Sequence, residues 1–319
     1  MQSSHDQRLA PTVADSRAKR YVMERSWSGN SIRQLCWLAI LALFVAVPVL
    51  AAQAQIKPTP IPLKVDLSRK IELSRRQSML SQYMAKAACL LSLKTYGKTN
   101  TSEVKFVHHL FDETLLDLRT GSLVHNTLPE SDSEILSALD AVDVLWETFG
   151  PAVLEQDLAV IAAQSPVIGQ KLDTVVSLYL KKYESTGAVT QPMATALDIS
   201  GRQSMLTQKA SEEFCFIAAR RDEAAHRESL KTTIDIIQKS MHSLATGDAA
   251  LGLDPPSAGE IIDQIARADE EWSHMNTILS RIAEGATPTT DDIAAVSSEN
   301  VTVMQAMNVI VKLYETISE

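Results

Sequence analysis

Arg76-Gln77-Ser78-Met79-Leu80-Ser81-Gln82 returns 126 residues later as Arg202-Gln203-Ser204-Met205-Leu206-Thr207-Gln208. The same offset joins Ser74 to Ser200, Cys89 to Cys215, Gly121 to Gly247, Pro129 to Pro255 and Trp146 to Trp272. One offset held over that distance reads as an internal duplication, with the quoted stretch near the start of each copy's first long helix. A chain of 319 residues also has the length of about two domains.

Working outward, Asp66 to Tyr96 contains neither glycine nor proline, and Leu73, Leu80, Met84, Ala87 and Leu91 recur at helical spacing. Gly97 is the expected stop. A second helix is expected over 102–120, ending at Gly121. The third opens on Ser131-x-x-Glu134, a capping-box pattern that returns as Ser257-x-x-Glu260. Pro151 and Pro166 are the candidate breaks before a fourth helix over 167–184. The second copy repeats the plan at 194–221, 223–246, 258–284 and 290–318. After Trp272 the offset grows to 131, because Leu180-Lys181-Lys182-Tyr183-Glu184 aligns with Val311-Lys312-Leu313-Tyr314-Glu315. Aromatic residues make up 5% of the chain and no strand pattern appears, so the expected class is all-α. The expected architecture is two tandem up-and-down four-helix bundles over 66–189 and 190–319.

The first 54 residues differ in kind. Residues 1–34 carry six basic and three acidic side chains, and Leu35 to Ala52 is an uncharged run ending in Ala52-Gln53-Ala54. This reads as a signal peptide cleaved before Gln55, or as a retained membrane anchor, with Met1 or Met23 as the start. Either way the rest is expected outside the cytoplasm, in the periplasm, after a proline-rich spacer over 55–65. The net charge is −9, and removing the basic leader makes the remainder more acidic still, which argues against a nucleic-acid partner. Export permits disulfides. A bond between Cys89 and Cys215 requires the two first helices to touch. The sequence favours small core residues that stay reduced.

For catalysis the chain has no Gly-rich phosphate loop, nucleophile elbow or His-Glu-x-x-His. His108 and His109 are adjacent and point about 100° apart on a helix, which does not suit one metal. A non-enzymatic protein with no metal or cofactor is expected. The candidate ligand-binding residues are Arg76, Gln77, Ser78 and Gln82, with Arg202, Gln203, Ser204 and Gln208. Guanidinium donors suit planar or tetrahedral anions, and glutamine and serine complete a shell. The alternative is an interhelical network in which each arginine pairs with a carboxylate such as Glu72 or Asp198.

Ser200-Gly201-Arg202-Gln203-Ser204-Met205-Leu206-Thr207-Gln208 and its parallel Ser74–Gln82 resemble the opening motif of the PilJ-type domain, the N-terminal input domain of type IV pili methyl-accepting chemotaxis transducers. Trp146 and Trp272, and the closing Tyr183-Glu184 and Tyr314-Glu315, extend the resemblance over nearly all of 66–319. The resemblance implies a helical extracytoplasmic sensing module, distantly similar to the bundle of nitrate/nitrite sensor kinases. There an arginine of the first helix holds the anion across a subunit interface. Its position here is Ser78 and Ser204, which leaves Arg76 and Arg202 as the neighbouring candidates. Arg75 departs from the pattern, which has a small residue there, as Gly201 is. The partners this implies are a small anionic ligand and a transducer or kinase that supplies the output; a homodimer is also open. The competing reading is a structural or protein-interaction module without a small ligand. If the two copies pack as a pseudo-dimer, Arg76 and Arg202 are expected to face each other.

Overall fold

The computed structural model describes residues 61–93 and 101–318, so the export segment, most of the proline-rich spacer and Gly97 lie outside the described residues. The chain forms α1 (Leu63–Ser92), α2 (Thr101–Thr120), α3 (Ser133–Glu155), α4 (Leu158–Ser185), α5 (Gln191–Ala218), α6 (Glu223–Thr246), α7 (Gly259–Ala283) and α8 (Thr290–Ser318). No strand occurs among the described residues. Two isolated bridges, Ser122–Thr127 and Asp248–Leu253, sit in the second loop of each half at the shared offset. Each loop follows a left-handed glycine, Gly121 (φ 73°) or Gly247 (φ 77°). A Cβ there would come within 2.6 Å of the Pro129 nitrogen or 2.7 Å of Pro255 Cδ. Glycine therefore lets the chain fold back onto the proline.

Several boundaries differ from expectation. α1 starts directly after Pro62, three residues early. Neither Pro151 nor Pro166 ends a helix: both lie inside one, and the break falls at Gln156 and Asp157, with Gln156 left-handed at φ 58°. The capping boxes do not form. Asp132, one residue after Ser131, caps α3 by accepting from the Glu134 and Ile135 amides. The Glu130 carboxylate takes the Ser131 and Asp132 amides, both at 2.9 Å. A carboxylate accepts from backbone N–H more strongly than a hydroxyl does, which moves the start inward. α7 begins at Gly259 behind Ala258, with no side-chain cap, so Ser257 lies outside its first turn.

Within each half, neighbouring helices are antiparallel. Gln77 of α1 donates to the Phe111 carbonyl of α2, the Trp146 indole of α3 donates to Asp112 of α2, and Gln264 of α7 donates to the Ala306 carbonyl of α8. Trp146 stacks on Phe111 at 4.2 Å in the first half, and Trp272 is buried in the second. α1 and α5 are the hubs. Each packs along the fourth helix of its own half, and the two pack on each other. Their buried residues lie all round the helix, as a central helix requires.

The two hubs run parallel and in register. Arg75 lies against Gly201 at one level, and fourteen residues on, about 21 Å along the axis, Cys89 is disulfide-bonded to Cys215 with Cα atoms 6.1 Å apart. Both cysteines are fully buried. The expectation of reduced cysteines is thus overturned: the first helices touch, and at this position residue i meets residue i+126. Gly201 beneath Arg75 and the bonded pair Cys89–Cys215 keep the side chains at the contact small and the backbones close.

Candidate functional site

The repeated stretch winds round its helix, so its polar side chains separate. Gln77 faces inward and donates to Phe111 O at 2.8 Å, and Gln203 donates to the Ile199 carbonyl of its own helix at 3.1 Å. Ser78 reaches Asp173 of α4 at 3.5 Å, whereas Ser204 bonds Asn308 of α8 at 2.6 Å. Gln82 donates to Ser165 O of α4 at 3.2 Å. Gln208 accepts from Lys86 Nζ of α1 at 2.7 Å. Arg76 is exposed, and Arg202 pairs with Asp198 at 3.2 Å.

These positions build two grooves flanking the α1–α5 contact, and each groove takes residues from both hubs. One, between α1, α5 and α8, holds Arg75, Arg76, Ser204 and Asn308 around a cavity of about 250 Å³. The other, between α5, α1 and α4, holds Arg202, Ser78, Asp173 and Asp198. Arg76 and Arg202 therefore lie at one height in different grooves, not facing each other as expected. Positions 75 and 201 occupy the contact itself, and the next residue on a helix turns away from it.

The grooves differ in charge. Arg202 has the Asp198 and Asp173 carboxylates about it, the structural pairing foreseen for an arginine here. Among the described residues no carboxylate lies within ion-pair distance of Arg76 in its groove, and Glu72 pairs instead with Arg69 at 2.9 Å. Arg75, 8% exposed, has Nε and Nη2 buried without a hydrogen-bond acceptor. Burial pulls its guanidinium down to about 10, while Asp198 and Glu315 work the other way, so it stays charged at neutral pH. Arg75, Arg76 and Lys312 line this groove against Glu72 and Glu315, a surplus of one positive charge. Burial also raises the Glu315 carboxyl. Arg75 and Lys312 were not among the expected site residues. The signal for Arg75 was in the repeat alignment, where the longest side chain stands opposite a glycine.

Residues 188–297 match the model of a family described as PilJ, type IV pili methyl-accepting chemotaxis transducer N-term. The match runs from the turn before α5 into α8, and the first half lies outside it. No curated protein and no solved structure matches the chain.

Proposed function

We propose that this chain, whose residues 188–297 are a PilJ-type domain of the chemotaxis-transducer input family, is a sensory module that binds a small anion in the α1–α5–α8 groove. Its two halves are duplicated bundles forming a pseudo-dimer outside the cytoplasm, and a transducer or kinase partner carries the output. The observation that carries the reading is Arg75: a charged, buried guanidinium whose Nε and Nη2 have no acceptor, beside Arg76, Lys312 and Ser204. Leaving such donors unmet costs about 1–3 kcal/mol. An anion entering the groove supplies the acceptors and neutralises the surplus charge. Ser204 spends its hydroxyl proton on Asn308 Oδ1, so the cationic side chains hold the anion. The α4-side groove takes no anion in this reading, because Asp173 and Asp198 occupy Arg202.

Thermal unfolding of the chain against nitrate, nitrite, phosphate and short carboxylates tests this. An anion at ~100 times its dissociation constant adds about 2.7 kcal/mol, a readily measured shift. The shift should vanish in Arg75→Ala and Arg76→Ala and persist in Arg202→Ala. No shift with any anion, together with ordinary destabilisation in the variants, makes the groove structural and leaves the interaction module as the function.

A further inference from the structure

A second cavity, lined by buried ionisable groups, lies elsewhere. It measures about 590 Å³, within the range of small-molecule pockets. It opens between the start of α4, the end of α5 and the start of α6. Two adjacent acids of α5 line it, Glu212 at 4% exposure and Glu213 at 3%. Glu213 Oε1 accepts from Lys209 and Ser229, but its Oε2 is buried without a partner. Glu212 accepts from Ser165 Oγ of α4 at 3.0 Å. Pro166, in the lining, has no amide to give the Ala162 carbonyl one turn before it, and Ala162 lines the cavity too. The inner wall thus holds two carboxyls and a carbonyl short of a donor, served by one lysine. It is one positive charge short.

The repeat shows what the equivalent position does when that charge is present. Lys86 of α1 stands 126 residues before Glu212, and its ammonium is fixed by Gln208 Oε1 and Asn300 Oδ1, each at 2.7 Å, over the Tyr83 ring at 4.5 Å. At the offset of 131 that aligns the fourth helices, Asn300 corresponds to Gly169. One side of the hub pair is therefore filled by a lysine and an asparagine of the chain; on the other, Gln82 packs over Gly169 and Glu212 lines an open cavity.

We propose that this cavity is a second ligand site, one that takes a small primary ammonium compound with its nitrogen between Glu212 and Glu213. Arg220 and Arg221, exposed where the cavity meets solvent, match the carboxylate of an amino acid. The bound nitrogen supplies Glu213 Oε2 with a donor and replaces the proton that Glu212 otherwise carries. Burial pushes the Glu212 carboxyl up to about 8, Lys209 lowers it and Glu213 raises it further. Binding near pH 7 then converts Glu212 from acid to carboxylate and releases one proton per ligand to solvent. The remaining titratable groups on this cavity are Asp222 and His226, and burial holds His226 below its ordinary value. The site shares no arginine with the anion groove, so either proposal can fail alone.

Calorimetric titration of the chain with propylamine, alanine and γ-aminobutyrate, in two buffers of different ionisation enthalpy, tests it. The expected result is saturable binding with up to one proton released at pH 7. Glu212→Gln should lose the proton release and weaken binding at least tenfold. Ala162→Leu, which narrows the cavity without touching a carboxyl, should weaken binding while leaving unfolding cooperative. Propylamine binding as well as the amino acids assigns the ammonium pocket alone. Binding by the amino acids only, lost in Arg220→Ala/Arg221→Ala, assigns the arginines as well. No binding by any of the three, or binding unchanged in Glu212→Gln, overturns the proposal.

Discussion

Arg75 lies across Gly201, the residue that holds its own place in the other half. A Cβ on Gly201 would meet Arg75 Cδ and Nε at 2.5 Å. Glycine here is a space requirement, since its backbone is ordinary helix. Gly201→Ala should therefore destabilise the protein by about 1–3 kcal/mol, although alanine is the better helix former. In an Arg75→Ala background the clash is gone and the same substitution should stabilise by about 0.5–1 kcal/mol. A denaturant double-mutant cycle reads the reversal, and equal effects in both backgrounds would show that Arg75 does not rest on Gly201.

The disulfide closes a separation of 126 residues. Cys89→Ala/Cys215→Ala should lower stability by about 2–5 kcal/mol, the usual cost of losing a native bond across a long loop. Thermal unfolding under non-reducing conditions measures it. Because both sulfurs are buried, reductant should act on the wild type only once unfolding begins.

Lys86 and Glu212 should give stability opposite slopes with pH. Burial raises the Glu212 carboxyl to about 8, so the folded state holds its proton more tightly. That contribution is complete below the unfolded value near 4.5 and is lost as pH rises through 8. Burial lowers the Lys86 ammonium to about 7, so its contribution grows as pH rises from 7 toward 10.5. Between pH 5 and pH 9 the two are worth on the order of 4 and 3 kcal/mol and largely cancel. Glu212→Gln should leave a protein that gains stability with rising pH, and Lys86→Met one that loses it. Parallel profiles in the two variants would contradict these assignments.

Helix α3 offers a narrower check. Asp132→Ala should cost about 1 kcal/mol through the lost cap, with a further part from the Lys182 ion pair at 3.2 Å. Ser131→Ala should be nearly neutral, whereas the capping-box pattern alone predicts the reverse. Chemical denaturation distinguishes them.

The helices and their order were legible because apolar spacing and a shared offset are one-dimensional signals. Observed and expected spans of α6 and α8 coincide, and that of α7 differs by one residue at each end. The way the hubs meet was not legible. Periodicity shows which face of α1 is apolar, but not that α5 lies parallel to it in register. Without that register Cys89 and Cys215 are matched repeat positions that nothing brings into contact, and Arg75 is only a departure from a family pattern. The site suffered for the same reason. Arg76, Ser78, Arg202 and Ser204 were picked out, but which arginine joins which serine depends on the contact between hubs. Lys86 and Glu212, charged residues set among alanines, serine and cysteine, were the overlooked clue to the difference between the two flanks of the hub pair.

Two separate identical chains meeting about a twofold axis must present the same residue on both sides, so a lysine on one flank appears again on the other. Here the equivalent surfaces belong to one polypeptide closed by a disulfide. Dilution cannot part them, and their association carries no dependence on concentration. The sequence on one side is free to change without its mirror image. Lys86 at the level of Glu212, and Arg75 against Gly201, are unlike pairs that a symmetric dimer of identical chains cannot present.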